Sequence, residues 1–147
     1  MGVTMGKNEN TELFSSHVMN AIDALIVVLD IKGNVIFTNL ACEKLTKFKD
    51  EEVIGKPVWD VFIIDEEIEE TKAVFSSLIT FEDNNRYINY WKTKSGERKL
   101  VSWSNACLHN TQGELELIVA TGIDITQQRQ YQKKLGDREA KYQAIIS

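Results

Sequence analysis

The residues predict an α+β fold: one antiparallel five-stranded sheet, short helices over one of its faces, and a helix at each end. Three observations carry that expectation. Five β-rich runs fall into a group of two and a group of three, joined within each group by glycine-bearing turns. The stretch between the groups has helical spacing, and the last run passes straight into a polar, helix-favouring segment.

Met1 to Asn10 is polar and glycine-bearing, so residues 1–10 are expected to be disordered or extraneous to the fold. Leu13, Phe14, Val18, Met19 and Ile22 recur at helical spacing and predict an amphipathic helix over 11–22, capped by Asn10 or Thr11. The domain proper is expected over 23–126. Leu25 to Asp30 and Asn34 to Thr38 flank Ile31-Lys32-Gly33, the pattern of a hairpin. Asn39 should cap a short helix carrying Leu40, Ala41, Leu45 and Phe48, because its side-chain oxygen can take an orphan amide of the first turn. Glu51 to Gly55 reads as a further helical turn, stopped by Gly55 and Pro57. Acids from Asp65 to Glu70 suit the positive end of a helix that runs to Phe81 and buries Ile68, Val74, Phe75, Leu78 and Ile79. Three strands follow, Arg86 to Thr93, Arg98 to Leu108 and Leu115 to Ile123, separated by Lys94-Ser95-Gly96-Glu97 and Asn110-Thr111-Gln112-Gly113.

The exit from the last strand reads as an output. Thr126 is a suitable N-cap, a contact that contributes about 1 kcal/mol, and Asp124 adds negative charge at the same helix end. Tyr131, Leu135, Tyr142 and Ile145, with Gln128 and Arg138 between them, fall at spacings of three and four, as in a seam between paired helices. Two polar residues in the seam and Gly136, which costs about 1 kcal/mol against Ala, make it marginal. Residues 127–147 are therefore expected to be a signalling helix that pairs two copies and leads to a downstream module. A solvated helix closing a monomer remains the alternative.

The chain has 147 residues, 43% of them hydrophobic, enough for one core. A formal charge of −5 offers no basic patch for a phosphate backbone, so nucleic acid is not an expected partner. The longest apolar run, Ala24 to Leu29, is far short of a membrane span, and Met1 to Asn10 lacks a signal-peptide layout. A cytoplasmic protein without direct membrane contact is expected. Cys42 and Cys107 lie far apart within apolar patterns and read as reduced, buried thiols.

Asn39-Leu40-Ala41-Cys42-Glu43-Lys44-Leu45-Thr46, Glu51 to Gly55, Lys94-Ser95-Gly96-Glu97, Gly113-Glu114 and Gly122-Ile123-Asp124-Ile125-Thr126, in this order, resemble a PAS domain over Ala21 to Thr126. Lys47 departs from the glycine often found after the Leu-Thr pair. The resemblance implies strand order 2-1-5-4-3, a cavity between sheet and short helices, and output through the terminal helix of a larger sensor such as a histidine kinase or diguanylate cyclase. Flavin relatives that form a covalent adduct place a cysteine just after the glycine that is Gly55 here. Lys56, Pro57 and Val58 stand there instead, so that chemistry is not expected. Haem relatives use a histidine on or beside the long helix, and Asp65 to Phe81 has none. His17 and His109 read as surface imidazoles. The cofactor stays unknown, with a non-covalent small molecule or flavin allowed and no metal expected.

Alternation in the fourth strand sends Val101, Trp103, Asn105 and Cys107 to one face, and the resemblance turns that face to the cavity. Tyr87, Asn89 and Trp91 of the third strand and Ala120 of the fifth complete the expected ligand pocket; Asp124, Ile125 and Thr126 form the expected signal junction. Asn89 and Asn105 are the candidate polar anchors, since an unpartnered buried amide costs about 1 to 3 kcal/mol. Neighbouring side chains could satisfy them instead, with Trp91 and Trp103 serving as core. Catalysis has no support in the residues: consecutive acids cannot converge on one point, and no nucleophile and base share a readable spacing. A ligand-free dimerisation relay and a small cone-shaped α+β enzyme remain as alternatives.

Overall fold

A computed structural model describes residues 15, 17–82 and 86–146, with side chains to residue 138. The expected disordered residues 1–10, the first part of the leading helix, and the seam side chains of Tyr142 and Ile145 lie outside that description. Residues 17–21 are helical. The elements that follow are β1 (Leu25–Asp30), β2 (Val35–Thr38), α1 (Leu40–Thr46), α2 (Asp50–Val53), α3 (Val58–Val61), a 3-10 turn (Asp65–Glu67), α4 (Ile68–Phe81), β3 (Arg86–Lys92), β4 (Arg98–His109), β5 (Leu115–Asp124) and α5 (Thr126–Ile146). One antiparallel sheet has the order β2-β1-β5-β4-β3, as the PAS resemblance implies.

Local chemistry sets the hairpins. In the β1–β2 turn, Asp30 Oδ1 accepts the amides of Lys32 and Asn34, both at 2.9 Å. Asn110 Oδ1 repeats the device before β5, accepting from Gln112 at 2.9 Å and Glu114 at 3.0 Å. A short polar side chain that mimics a backbone turn explains why Asp and Asn open these loops. Burial pushes the Asp30 carboxyl up, but the Asn34 and Lys32 hydrogen bonds outweigh it and hold the group below its ordinary value.

Asn39 caps α1 as expected, accepting from Cys42 N at 3.3 Å. Lys47 ends that helix at φ 68, in the left-handed region, with its amide on Glu43 O at 2.8 Å. The lysine thus adopts the geometry that the family's glycine would, at a cost of about 1 kcal/mol. The acidic stretch differs from one continuous helix: Asp65–Glu67 is a 3-10 turn, and α4 begins at Ile68. The helix α3 has no counterpart in the sequence reading, because four residues are too few to show periodicity.

The core lies between one sheet face and the helices. Val27, Val35, Val53, Phe62, Ile63 and Ile118 are among its most enclosed members. Each contributes about 1.5 to 3 kcal/mol by leaving water. Backbone pairing ties the helical layer down: Lys92 N donates to Phe62 O at 2.7 Å, and Ile63 bridges Trp91.

Candidate functional site

A cavity of about 70 Å³ opens between the inner sheet face and α4. The central strands supply its floor through Val27, Leu29, Ile118 and Ala120. Helices α3 and α4 supply its roof, chiefly Val58, Trp59, Thr71, Val74, Phe75 and Leu78. Strands β3 and β4 supply a side wall, placing Tyr87, Asn89, Trp91, Trp103 and Asn105 on it. Alternation therefore brings six of the residues expected in the pocket to one hollow.

Val101 and Cys107 do not line it, which corrects the expected set. Both point to the inner face, but alternation fixes only the face. Val101 is fully enclosed in the core, where a file of rings fills the interlayer. Phe62 stacks on Trp91 with centroids 4.1 Å apart and planes 9° apart, and Trp91 meets Trp103 at 4.7 Å. The Trp103 ring closes over Gly122, where an added Cβ would come within 2.6 Å of the indole and 2.8 Å of Val101 Cγ1. Cys107 is half-buried at the edge of the core, and burial, with the Glu82 charge adding to it, pushes its thiol up.

The polar groups divide into satisfied and unsatisfied. Asn89 Oδ1 accepts the Trp103 indole N–H at 2.9 Å, so a neighbouring side chain meets that carbonyl, as the alternative reading of the residues allowed. Asn105 has no side-chain hydrogen bond among the described residues. Thr71 Oγ1 is buried without a hydrogen-bond partner among them. Burial pushes the Tyr87 phenol up, opposed by the nearby Thr71 hydroxyl and assisted by Glu70 and Glu67. Thr71 was missed by the sequence reading, yet it falls three residues from Ile68 and from Val74, on the face already expected to be buried.

Trp59 was missed as well. Its ring lies against Gly33, whose φ of 89 suits glycine and where any Cβ would collide with the indole. The ring also meets Phe75 edge-on at 5.5 Å. Trp59 thereby joins the first hairpin to the cavity roof.

Among the described residues the cavity lining contains no Asp, Glu, His, Lys or Arg, and no group of His, Cys, Asp and Glu could hold a metal. Among the described lining residues an acid-base reaction would have the Tyr87 phenol to use, a group already protonated at neutral pH and pushed further up by burial. The Cys42 thiol, pushed up to about 12 by burial, is no nucleophile either.

At the junction, the capping expected of Thr126 falls to Asp124. Asp124 Oδ1 accepts the Thr126 amide at 3.0 Å and so performs the local capping. The Thr126 hydroxyl is used across the sheet: it accepts Leu100 N at 2.8 Å and donates to Asp124 Oδ1 at 2.6 Å. Ile125 N donates to Leu100 O at 2.8 Å, so both backbone groups of Leu100 hold the start of α5.

A sequence model described as a PAS domain matches residues 22–127. The chain belongs to the PAS domain family. The cyclic di-GMP phosphodiesterase PdeR of Escherichia coli (strain K12) is 28% identical over 124 residues, covering 83% of this chain and 18% of that protein. The chain thus spans about a fifth of that relative. A PAS domain of a Colwellia psychrerythraea protein has the same fold, with TM-score 0.71 at 18% identity over 80% of this chain and 98% of its own. The PAS domain of the Cronobacter turicensis RpfR quorum-sensing receptor, in complex with C12:0, aligns with TM-score 0.63 at 26% identity, covering 71% of this chain and 96% of that one. This chain is a PAS sensory domain, and among its described residues no helix is long and apolar enough to cross a membrane.

Proposed function

We propose that this PAS domain senses a small molecule held non-covalently in the α4 cavity and passes occupancy to the exit helix α5. One observation carries the reading: the two strands that wall the cavity also grip that helix. Trp103 and Asn105 of β4 and Ile118 and Ala120 of β5 line the hollow, while Leu100 of β4 and Asp124 of β5 bond the first turn of α5. A shift of either strand against its neighbour therefore reaches the clasp within one strand length.

The surrounding protein is a multidomain signalling protein, with residues 23–126 as sensor and residues 127–147 as the helix leading to the output module. The partial PdeR match favours an output in cyclic-dinucleotide turnover over a histidine kinase, and the RpfR complex favours a ligand with an apolar chain. Two copies pair through their terminal helices. In α5, Tyr131 is 67% exposed and Leu135 43%, leaving apolar side chains for a partner helix.

Native mass spectrometry of the protein purified from its own organism tests the reading. The expected result is a bound small molecule, released when α4 is unpacked by Leu78→Asp. A clean ligand-free mass, together with tryptophan emission indifferent to a panel of small amphiphiles, would leave a dimerisation relay in its place.

A further inference from the structure

Building on the sensor reading, we propose that the cavity selects an uncharged amphiphile: a slender apolar body ending in a neutral hydrogen-bonding head, such as a carboxamide or an alcohol, with ionised carboxylates disfavoured. The head lies in the corner formed by Thr71, Tyr87 and Asn105. Tyr87 pairs with Trp103 across the β3–β4 ladder, which puts Asn105 diagonal to it on the same face. Thr71 reaches the same phenol from α4.

Three features define the head. The corner presents two hydroxyls and an amide, each of which can donate and accept, so it matches a head that does both. Thr71 Oγ1 makes no hydrogen bond of full geometry among the described residues, its nearest candidate being the Tyr87 phenol, and a buried hydroxyl so placed is destabilising until something bonds it. Charge then decides against an anion. No cation lines the cavity among the described residues, and the side chains whose charges bear on Tyr87 are Glu70 and Glu67. Glu67 is fixed there by accepting Tyr90 N at 3.2 Å. An ionised head would lose its hydration and meet like charge, with no counter-ion to offset either cost.

The cations nearby do not alter this. Arg86 adjoins Tyr87, but strand alternation turns it to the opposite face. Lys72 lies over the Trp59 ring, 5.8 Å from its centroid, outside the lining and 3.8 Å from Glu69. At about 70 Å³ the cavity holds about two waters, so a six-carbon probe must part α4 from the sheet to enter, and longer chains would have to part it further.

The chain has three tryptophans, Trp59, Trp91 and Trp103, and all of them line the cavity, so their emission reports occupancy. Hexanamide, hexan-1-ol and hexanoate are titrated against the full chain at pH 7.5. The amide and the alcohol are expected to give a saturable shift, hexanoate to bind at least tenfold more weakly, and hexanoate to gain at pH 5.5 as its protonated fraction grows. Thr71→Val and Tyr87→Phe, both near-isosteric, are each expected to weaken hexanamide about fivefold with the melting curve still cooperative. Hexanoate binding at pH 7.5 as tightly as hexanamide would overturn the uncharged head and leave the sensor reading standing. Loss of that hexanoate binding in Lys72→Met would then relocate the head to the Trp59 side. Silence from all three probes would overturn the amphiphile proposal and leave the sensor reading to the native mass measurement.

Discussion

Two polar side chains of this domain with buried polar atoms, Asn39 and Thr71, show how the same chemistry serves structure in one place and leaves room for recognition in another. Asn39, fully buried at the start of α1, has both ends of its amide engaged. Its oxygen accepts Ile26 N at 3.0 Å and Cys42 N at 3.3 Å, and its nitrogen donates to Met19 O at 3.0 Å, Ala24 O at 2.9 Å and Ile22 O at 3.4 Å. Thr71, in the cavity roof, has a buried hydroxyl without a partner among the described residues. A saturated amide locks the leading segment, β1 and α1 into one geometry. An unsaturated hydroxyl stores a cost that a ligand can relieve. The difference separates the scaffold of this domain from its receptive surface.

The comparison breaks most visibly at its structural end. Asn39→Ala removes the cap of α1 and leaves the amides of Ile26 and Cys42 and the carbonyls of Met19 and Ala24 without that partner. The expected loss is about 3 to 5 kcal/mol in denaturant unfolding, the range of a dismantled buried network. A loss below about 1 kcal/mol would mean that water replaces the side chain and that Asn39 is not a hub. Gly33→Ala comes next. The left-handed φ and the Trp59 ring both oppose a Cβ, so a loss of about 2 to 3 kcal/mol is expected together with a shift in tryptophan emission as the indole is displaced. A normal emission spectrum in a destabilised variant would assign the effect to the turn alone.

A smaller effect is expected at the junction. Thr126→Val deletes the hydroxyl that takes Leu100 N, leaving that amide without its partner. About 1 to 2 kcal/mol should be lost, and amide exchange should accelerate at Leu100 and in the first turn of α5 but not in β1. Uniform acceleration over the whole sheet would show that the clasp belongs to the global fold and not to a separable exit.

Much of this architecture is legible in the residues, and the divide between what is and is not has a physical cause. The caps and turns are local: Asn39, Asp30-to-Asn34 and Asn110-to-Glu114 act over two to four residues, so sequence spacing reveals them. Strand alternation likewise places Tyr87, Asn89, Trp91, Trp103 and Asn105 on one face. It cannot tell how far along that face a hollow extends, which is why Val101 and Cys107 were expected in it. Long-range contacts stay hidden. The Thr126 hydroxyl serves Leu100, 26 residues away, and the Trp59 ring packs on Gly33, 26 residues before it. No pattern in either neighbourhood announces the partner. Thr71 lies between these cases, since helical spacing put it on the buried face but its polarity hid it among residues expected to face water.

The smallest expected effect is the most diagnostic, because its sign differs from the others. Thr71→Val replaces the partnerless hydroxyl with a methyl of nearly the same shape, removing a desolvated polar atom without opening a hole. Most substitutions in a packed layer destabilise; this one should raise the stability of the ligand-free domain by about 1 kcal/mol while weakening retention of a bound amphiphile. Thermal melts with and without hexanamide measure both quantities on one sample. A destabilised variant would mean that the hydroxyl already has a partner, a water or Tyr87 in a closer rotamer, and Thr71 would then belong with Asn39 on the structural side. Stabilisation coupled to weaker binding would place the two side chains where the geometry puts them, with the favourable energy of one spent in folding and that of the other still available to a ligand.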